Sequence, residues 1–165
     1  MKKPLIVYYS WSCGNTERTA KALQSVAGGD LVRLDTAVPY TGSYNDVVDQ
    51  GQREVIAGFE PELKPLSVNV ADYDVIAVGT PTWWYTMAPA VKTFLHGQNF
   101  AGKTVVPFMT NGGWPGRVIK DLKAACPGAD FACDIQVKFG SNGGDHLETP
   151  ESKINAWAQS VKALL

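Results

Sequence analysis

A chain of 165 residues fits one domain, and 45% apolar against 19% charged residues marks a globular protein and excludes a disordered or fibrous one. Fifteen Lys and Arg against sixteen Asp and Glu leave a net charge of -1, which excludes the polybasic face that nucleic acid or an anionic membrane surface requires. Three cysteines, Cys13, Cys126 and Cys133, lack CxxC spacing, which argues against a disulfide framework or zinc knuckle and sets the expectation of a reducing, cytoplasmic location.

In chain order, LIVYY (5–9) is too short for the roughly 7–15 apolar residues of a signal-peptide core, so it predicts a first strand. TERTAKALQSVA then places Ala20, Leu23, Val26 and Ala27 on one helical face, and Gly28-Gly29 stops it. LVRL (31–34) is the second strand. SYNDVVDQGQREVIAG predicts a helix with Val47, Val48, Val55 and Ile56 inward, and the proline-containing stretch 60–73 is expected to be irregular. VIAVG (75–79), APAVKTFLHG, TVVPFM (104–109), GRVIKDLKAA and IQVKF (135–139) continue the alternation. A last helix is expected with Thr149 as N-cap and Pro150 at its first position. Strands apolar on successive residues indicate a parallel sheet covered on both faces. The expectation is therefore a three-layer, doubly wound α/β domain over residues 1–165 with a five-stranded parallel sheet.

In such sheets ligands lie beyond the carboxyl ends of the strands. Three loops emerge there: SWSCGNT (10–16), TPTWWYTM (80–87) and TNGGWPG (110–116). Four of the five tryptophans, Trp11, Trp83, Trp84 and Trp114, fall within them. A lone loop tryptophan is more often structural than functional. Adjacent Trp83 and Trp84, however, cannot both point inward from one extended segment, which leaves one available to a flat partner. None of the three loops carries a formal charge. An anion must then be held by the hydroxyls of Ser10, Ser12 and Thr16 and by N–H groups opening a helix. The absence of Gly-Lys-Ser/Thr and of GxGxxG speaks against a triphosphate or a dinucleotide pyrophosphate. A monophosphate carrying a large planar ring remains.

Two other readings of these loops fail on spacing. A cysteine-dependent phosphatase needs five residues between its thiolate and its arginine, and Cys13 and Arg18 are separated by four. A receiver domain needs carboxylates ending its first and third strands, where Ser10 and Thr80 stand. His96, in the last turn of a helix, and His146, in a glycine-rich loop, read as surface residues, and no metal site is expected.

YYSWSCGNTERTA, GTPTWWYTMAPAVKTFL and TNGGWPGRVIKDLKAACPGA together resemble the flavodoxin family, in particular its short-chain bacterial members. The resemblance implies FMN as cofactor, its phosphate on Ser10, Ser12, Gly14, Asn15 and Thr16, with Trp11 among the cofactor-binding residues and Cys13 standing as an extra residue in the usual spacing. It implies contacts to the flavin ring from Pro81, Thr82, Trp83, Trp84 and Tyr85, and from Thr110, Asn111, Gly112 and Gly113. Gly112 and Gly113 are expected to bring bare backbone to the ring edge. No side chain is expected to act as a catalytic acid or base. The implied function is electron transfer to a redox partner protein or a small-molecule acceptor by a monomer or weak dimer. An FMN-dependent NAD(P)H:quinone-type reductase is the alternative, and a non-redox module on the same fold is the third reading.

Overall fold

The computed structural model describes residues 2–165. Four continuous strands and a divided fifth position build the sheet: β1 (Leu5–Tyr8), β2 (Asp30–Arg33), β3 (Val75–Trp83), β5 (Thr104–Asn111), and β6 (Asp130–Phe131) followed by β7 (Ile135–Lys138). Their order is β2-β1-β3-β5, with β6 beside the start of β5 and β7 beside its end, all parallel. The expected fifth strand is thus present, preceded by a two-residue strand. The short strand β4 (Thr86–Met87) folds back antiparallel on Thr82 and Trp83, so the third strand runs four residues beyond the apolar VIAVG and ends in a hairpin.

Helices α1 (Asn15–Ala27) and α5 (Glu151–Lys162) pack on one face. The other face carries α2 (Tyr44–Ala57), α3 (Pro89–His96) and α4 (Val118–Ala124). Each face has its own apolar cluster, because Ile6, Ala77, Val106 and Val137 point one way and Val7, Ile76, Val105 and Met109 the other. Leu5 to Val7 and Ile76 to Val78 are fully buried, as strands covered on both sides must be.

Two expectations are corrected. Thr149 does not cap α5; Pro150 occupies the cap position, and the Thr149 hydroxyl instead accepts the N–H of Lys138 at 2.7 Å, fastening the end of β7. On α2 the inward face is narrower than the valine spacing indicated. Val47 and Gly51 are buried, whereas Ile56 is 78% exposed. The helix begins instead with a capping box, in which Ser43 Oγ accepts the Asp46 N–H and the Asp46 carboxylate accepts the Ser43 N–H. Residues 60–73 are largely irregular as expected, yet they contain a single 3₁₀ turn at Val70–Asp72 that buries Val70.

The sheet tolerates no side chain at Gly79. A Cβ there would stand 2.2 Å from ring carbons of Phe108, its register partner on β5 and a fully buried residue. Gly79→Ala is therefore expected to lower unfolding free energy by about 1–3 kcal/mol, measured as a reduced urea midpoint with unchanged slope. A midpoint equal to that of the parent would mean that the Phe108 ring has room to move.

Candidate functional site

The carboxyl ends of β1, β3 and β5 lie side by side, so the loops that follow them converge. Thr110, 4% exposed, is where they meet: its hydroxyl lies 2.8 Å from that of Thr16, and its carbonyl accepts the Thr82 hydroxyl at 3.0 Å. Thr80, fully buried, secures the second loop from within. Its hydroxyl donates to Pro81 O at 2.8 Å and accepts the Ala88 N–H at 3.0 Å.

The convergence encloses an open cleft of about 340 Å³. Ser10, Trp11, Ser12, Asn15 and Thr16 line it from the first loop, Pro81 to Tyr85 from the second, and Thr110, Asn111 and Gly112 from the third. Of the predicted residues, Gly14 and Gly113 do not line it. Gly14 is the left-handed N-cap of α1, and Gly113, at φ 115°, closes a turn in which its N–H reaches Asn111 Oδ1 at 2.8 Å. Gly14 and Gly113 both take a positive φ that favours glycine, whereas Gly112 does not. A Cβ on Gly112 would meet Gly140 O at 3.4 Å, an ordinary contact.

Two walls were missed by the sequence reading. Tyr44, Val47, Val48 and Gly51 of α2 form one; Gly140, Ser141, Gly143 and Gly144 after β7 form part of the other. A glycine inside a helix costs roughly 1 kcal/mol relative to alanine, so Gly51 was a usable signal for close approach. A Cβ there would stand 3.1 Å from the Trp83 ring. The GSNGG loop follows a strand on the same side of the sheet, and the rule that identified the other three loops applies to it too.

At the α1 end, the first helical hydrogen bond runs from Arg18 N to Gly14 O, so the N–H groups of Asn15, Thr16 and Glu17 precede the ladder. Asn15 donates through Nδ2 to Gly144 O at 3.1 Å, but its buried Oδ1 has no hydrogen-bond partner among the described residues. Such an acceptor is costly unless a donor reaches it. Glu17, in the same first turn, lies outside the cleft and is paired with Lys21 at 3.0 Å. That contact, with the Tyr8 hydroxyl, holds its carboxyl below the usual range.

The aromatic side depends on a strained turn. Trp84 and Tyr85 both have positive φ, 51° and 68°, at the hairpin between β3 and β4. Two consecutive left-handed residues are the requirement of a type I′ turn, which normally takes Asn-Gly. For bulky residues the conformation costs roughly 1–2 kcal/mol each. Two hydrogen bonds hold it: Trp84 Nε1 donates to Val48 O on α2 at 2.8 Å, and Arg117 N donates to Tyr85 O at 2.7 Å. The turn raises Trp84 and Tyr85 to the rim, 38% and 55% exposed, where Tyr44 and Trp114 are also open. Trp83 lines the cleft and also faces inward. It packs edge-on against Tyr40 and Tyr9, with centroids at 5.0 and 5.8 Å. Burial drives both tyrosine pKa values well above the ordinary phenol range, and for Tyr40 the neighbouring Glu54 adds to the rise.

Among the described residues, none that lines the cleft carries a formal charge. The arrangement thus offers free N–H groups and hydroxyls at one end, indole and phenol surface at the other, and no fixed ion between them.

A family model described as flavodoxin matches residues 3–148. Among solved structures the chain is similar to a candidate flavoprotein from Bacteroides eggerthii DSM 20697, at 31% identity, 98% coverage of both chains and a TM-score of 0.79. It shares its fold with a flavoprotein in complex with FMN from Lactobacillus acidophilus NCFM, at 21% identity, 96% and 99% coverage and a TM-score of 0.71. Among curated proteins it is 36% identical over 100 residues to NAD(P)H dehydrogenase (quinone) 3 of Rhizobium meliloti (strain 1021). That match spans 58% of this chain and 43% of the enzyme.

The strained turn leans on Gly116, which has φ 54° and whose added Cβ would stand 2.3 Å from Tyr85 O. Gly116→Ala is expected to break the Arg117–Tyr85 bond and to speed exchange of the Arg117 amide roughly tenfold, from a left-handed penalty of about 1–2 kcal/mol. Hydrogen exchange followed by NMR reads this directly. Unchanged protection at Arg117 would show that the turn stands without that support.

Proposed function

Because the chain belongs to the flavodoxin family, we propose that it is a redox protein carrying electrons on non-covalently bound FMN in the cleft described above. The observation that carries the proposal is the joining, in one uncharged cleft, of the α1 amino terminus to an aromatic rim held in a strained turn. The residues present fit the cofactor. The unladdered N–H groups at the start of α1, with the Ser10, Ser12 and Thr16 hydroxyls, offer a phosphate donors and a favourable helix dipole without a lysine. The unpartnered Asn15 Oδ1 supplies an acceptor for a hydroxyl of the ribityl chain. Backbone of Pro81, Thr82, Asn111 and Gly112 borders the ring position, and Trp84 and Tyr85 provide its aromatic neighbours.

When bound, FMN supplies the group that accepts and releases electrons. The chain's own residues orient the ring and exclude water from one side. No lining residue is positioned as an acid or base. The open rim of Trp84, Tyr85, Tyr44 and Trp114 would give a partner protein or a small acceptor access to the bound ring.

A second reading, direct reduction by NAD(P)H followed by transfer to a quinone-type acceptor, is favoured by the partial likeness to the quinone dehydrogenase. The exposed rings of Tyr44, Trp84, Tyr85 and Trp114 suit a flat, uncharged acceptor.

Titration with FMN should give a yellow, stoichiometric complex with quenched flavin fluorescence. Trp84→Ala should weaken it by about 1–3 kcal/mol through lost stacking and burial. A protein that leaves FMN unbound at millimolar concentration would overturn the proposal. Anaerobic mixing of the complex with NADPH separates the two readings: the reductase bleaches without any added protein, and the carrier keeps its colour.

A further inference from the structure

Among the described residues, Trp83 is the cleft aromatic that also reaches inward to a second aromatic cluster. Its ring lies 5.0 Å from Tyr40 at 73° and 5.8 Å from Tyr9 at 78°. Both are edge-to-face contacts within the usual range for packed rings. Beyond Tyr40 stands a proton acceptor. The Tyr40 hydroxyl donates to Glu54 Oε1 at 2.6 Å, the length of a charge-assisted bond to a carboxylate. Gln50 Nε2 donates to the other oxygen, Oε2, at 2.8 Å, and so fixes the carboxylate with Oε1 facing the phenol.

We propose that Trp83, Tyr40 and Glu54 form a proton-coupled relay that draws a one-electron oxidising equivalent out of the cleft and delivers it to Tyr40, on the far side of Trp83 from the site. The inference rests on the flavin reading only for the natural source of that equivalent, a photo-excited flavin or a comparably strong one-electron oxidant in the cleft. In the first transfer the oxidant gains one electron from Trp83, which is left as an indole radical cation. In the second, Tyr40 gives one electron to Trp83 while its phenolic proton passes to Glu54 Oε1. The balance closes. The oxidant is reduced by one electron, Trp83 is restored, Tyr40 is a neutral phenoxyl radical and Glu54 a neutral acid.

The proton acceptor is what selects Tyr40. A phenol yields its electron readily only if the proton can leave with it, since its radical cation is a very strong acid. Tyr9 also packs edge-on against Trp83, at 5.8 Å, but has no carboxylate bonded to its hydroxyl among the described residues. Tyr8 donates to Glu17 and Tyr73 to Asp30, so each has an acceptor, yet neither ring stacks on an aromatic residue of the cleft. The combination of ring contact and base occurs at Tyr40. Its effect is protective: Trp83, half-buried between the cleft and the core, is refilled before oxygen or water converts it irreversibly. Tyr40 and Glu54 are only half-buried, so soluble reductants have access to the end of the relay.

The test uses Tyr40→Phe, which keeps the ring contact and removes the proton, and Glu54→Gln, which keeps the shape and removes the base. Cofactor-free protein is oxidised by flash-quench with a soluble ruthenium tris-bipyridine and persulfate, and FMN-loaded protein is oxidised by light. Irreversible oxidation of Trp83 is counted by peptide mass spectrometry. Both variants are expected to show a several-fold rise at Trp83 in both settings. In D₂O the parent protein should also show more Trp83 oxidation, because the refilling step moves a proton, whereas Tyr40→Phe should show no isotope effect. A merely looser core would raise oxidation without that isotope pattern. Equal Trp83 oxidation in parent and variants, or a parent insensitive to D₂O, would overturn the relay. Failure of FMN to bind appears in the titration and leaves the ruthenium measurement intact, so the two ideas fail separately.

Discussion

The site depends on a junction of threonines at Thr110. Its hydroxyl meets Thr16 from the first loop and its carbonyl takes the Thr82 hydroxyl from the second, all near the bottom of the cleft. The Thr16–Thr110 bond is buried, where an unmatched hydroxyl would cost about 1–3 kcal/mol, and the Thr82 bond is partly buried, so each loop's position is conditional on the others. The sheet makes the junction available. Parallel register from Val75 opposite Thr104 to Pro81 opposite Thr110 brings the ends of β3 and β5 level, and β1 lies on the other side of β3. A one-residue slip would turn Thr110 to the opposite face and dissolve the meeting point.

Above that floor the structure holds strain, and the helix α2 is where it is balanced. Trp84 and Tyr85 occupy a backbone conformation suited to Asn-Gly, yet the indole N–H finds Val48 O and the Tyr85 carbonyl receives Arg117 N. Each net hydrogen bond contributes about 1 kcal/mol, of the same order as the backbone penalty it offsets. Gly51 completes the arrangement by letting the Trp83 ring lie against the helix. The weakly buried α2 therefore acts as a bracket for the turn more than as a core helix. Its hold on the sheet comes chiefly through Val47 and Gly51.

This division explains what was legible in the sequence. The strands were readable because burial on both faces forces consecutive apolar residues. The three loops were readable because hydroxyl, glycine and tryptophan cluster where such a sheet places its ligand. The α2 wall was not, since the apolar spacing of Val47, Val48, Val55 and Ile56 describes a wider inward stripe than the helix buries. Nor could periodicity tell that Thr149 serves the end of β7 instead of capping α5, because a threonine before proline is equally suited to both and only the position of Lys138 decides. The direction of each tryptophan was likewise hidden. Alternation says that Trp83 and Trp84 diverge, but the hairpin, which no turn residue announced, determines which one reaches the rim.

The neutrality of the cleft links its two ends. A lysine at the phosphate end would add a fixed positive charge to a cleft whose described lining otherwise carries none. Amides and hydroxyls at the start of α1 would act on an anion through short-range dipoles whose effect fades within about a turn of helix. The ring end is thus left to be governed by polarisable aromatic surface, and there Trp83 faces two ways, toward the cleft and toward Tyr40. With the nearest carboxylate on that inward path at Glu54, behind Tyr40, charge is kept from the ring position while a base stays within reach of the phenol. A carboxylate placed directly beside Trp83 would have served the proton but repelled electrons arriving at the ring. Interposing one tyrosine satisfies both demands.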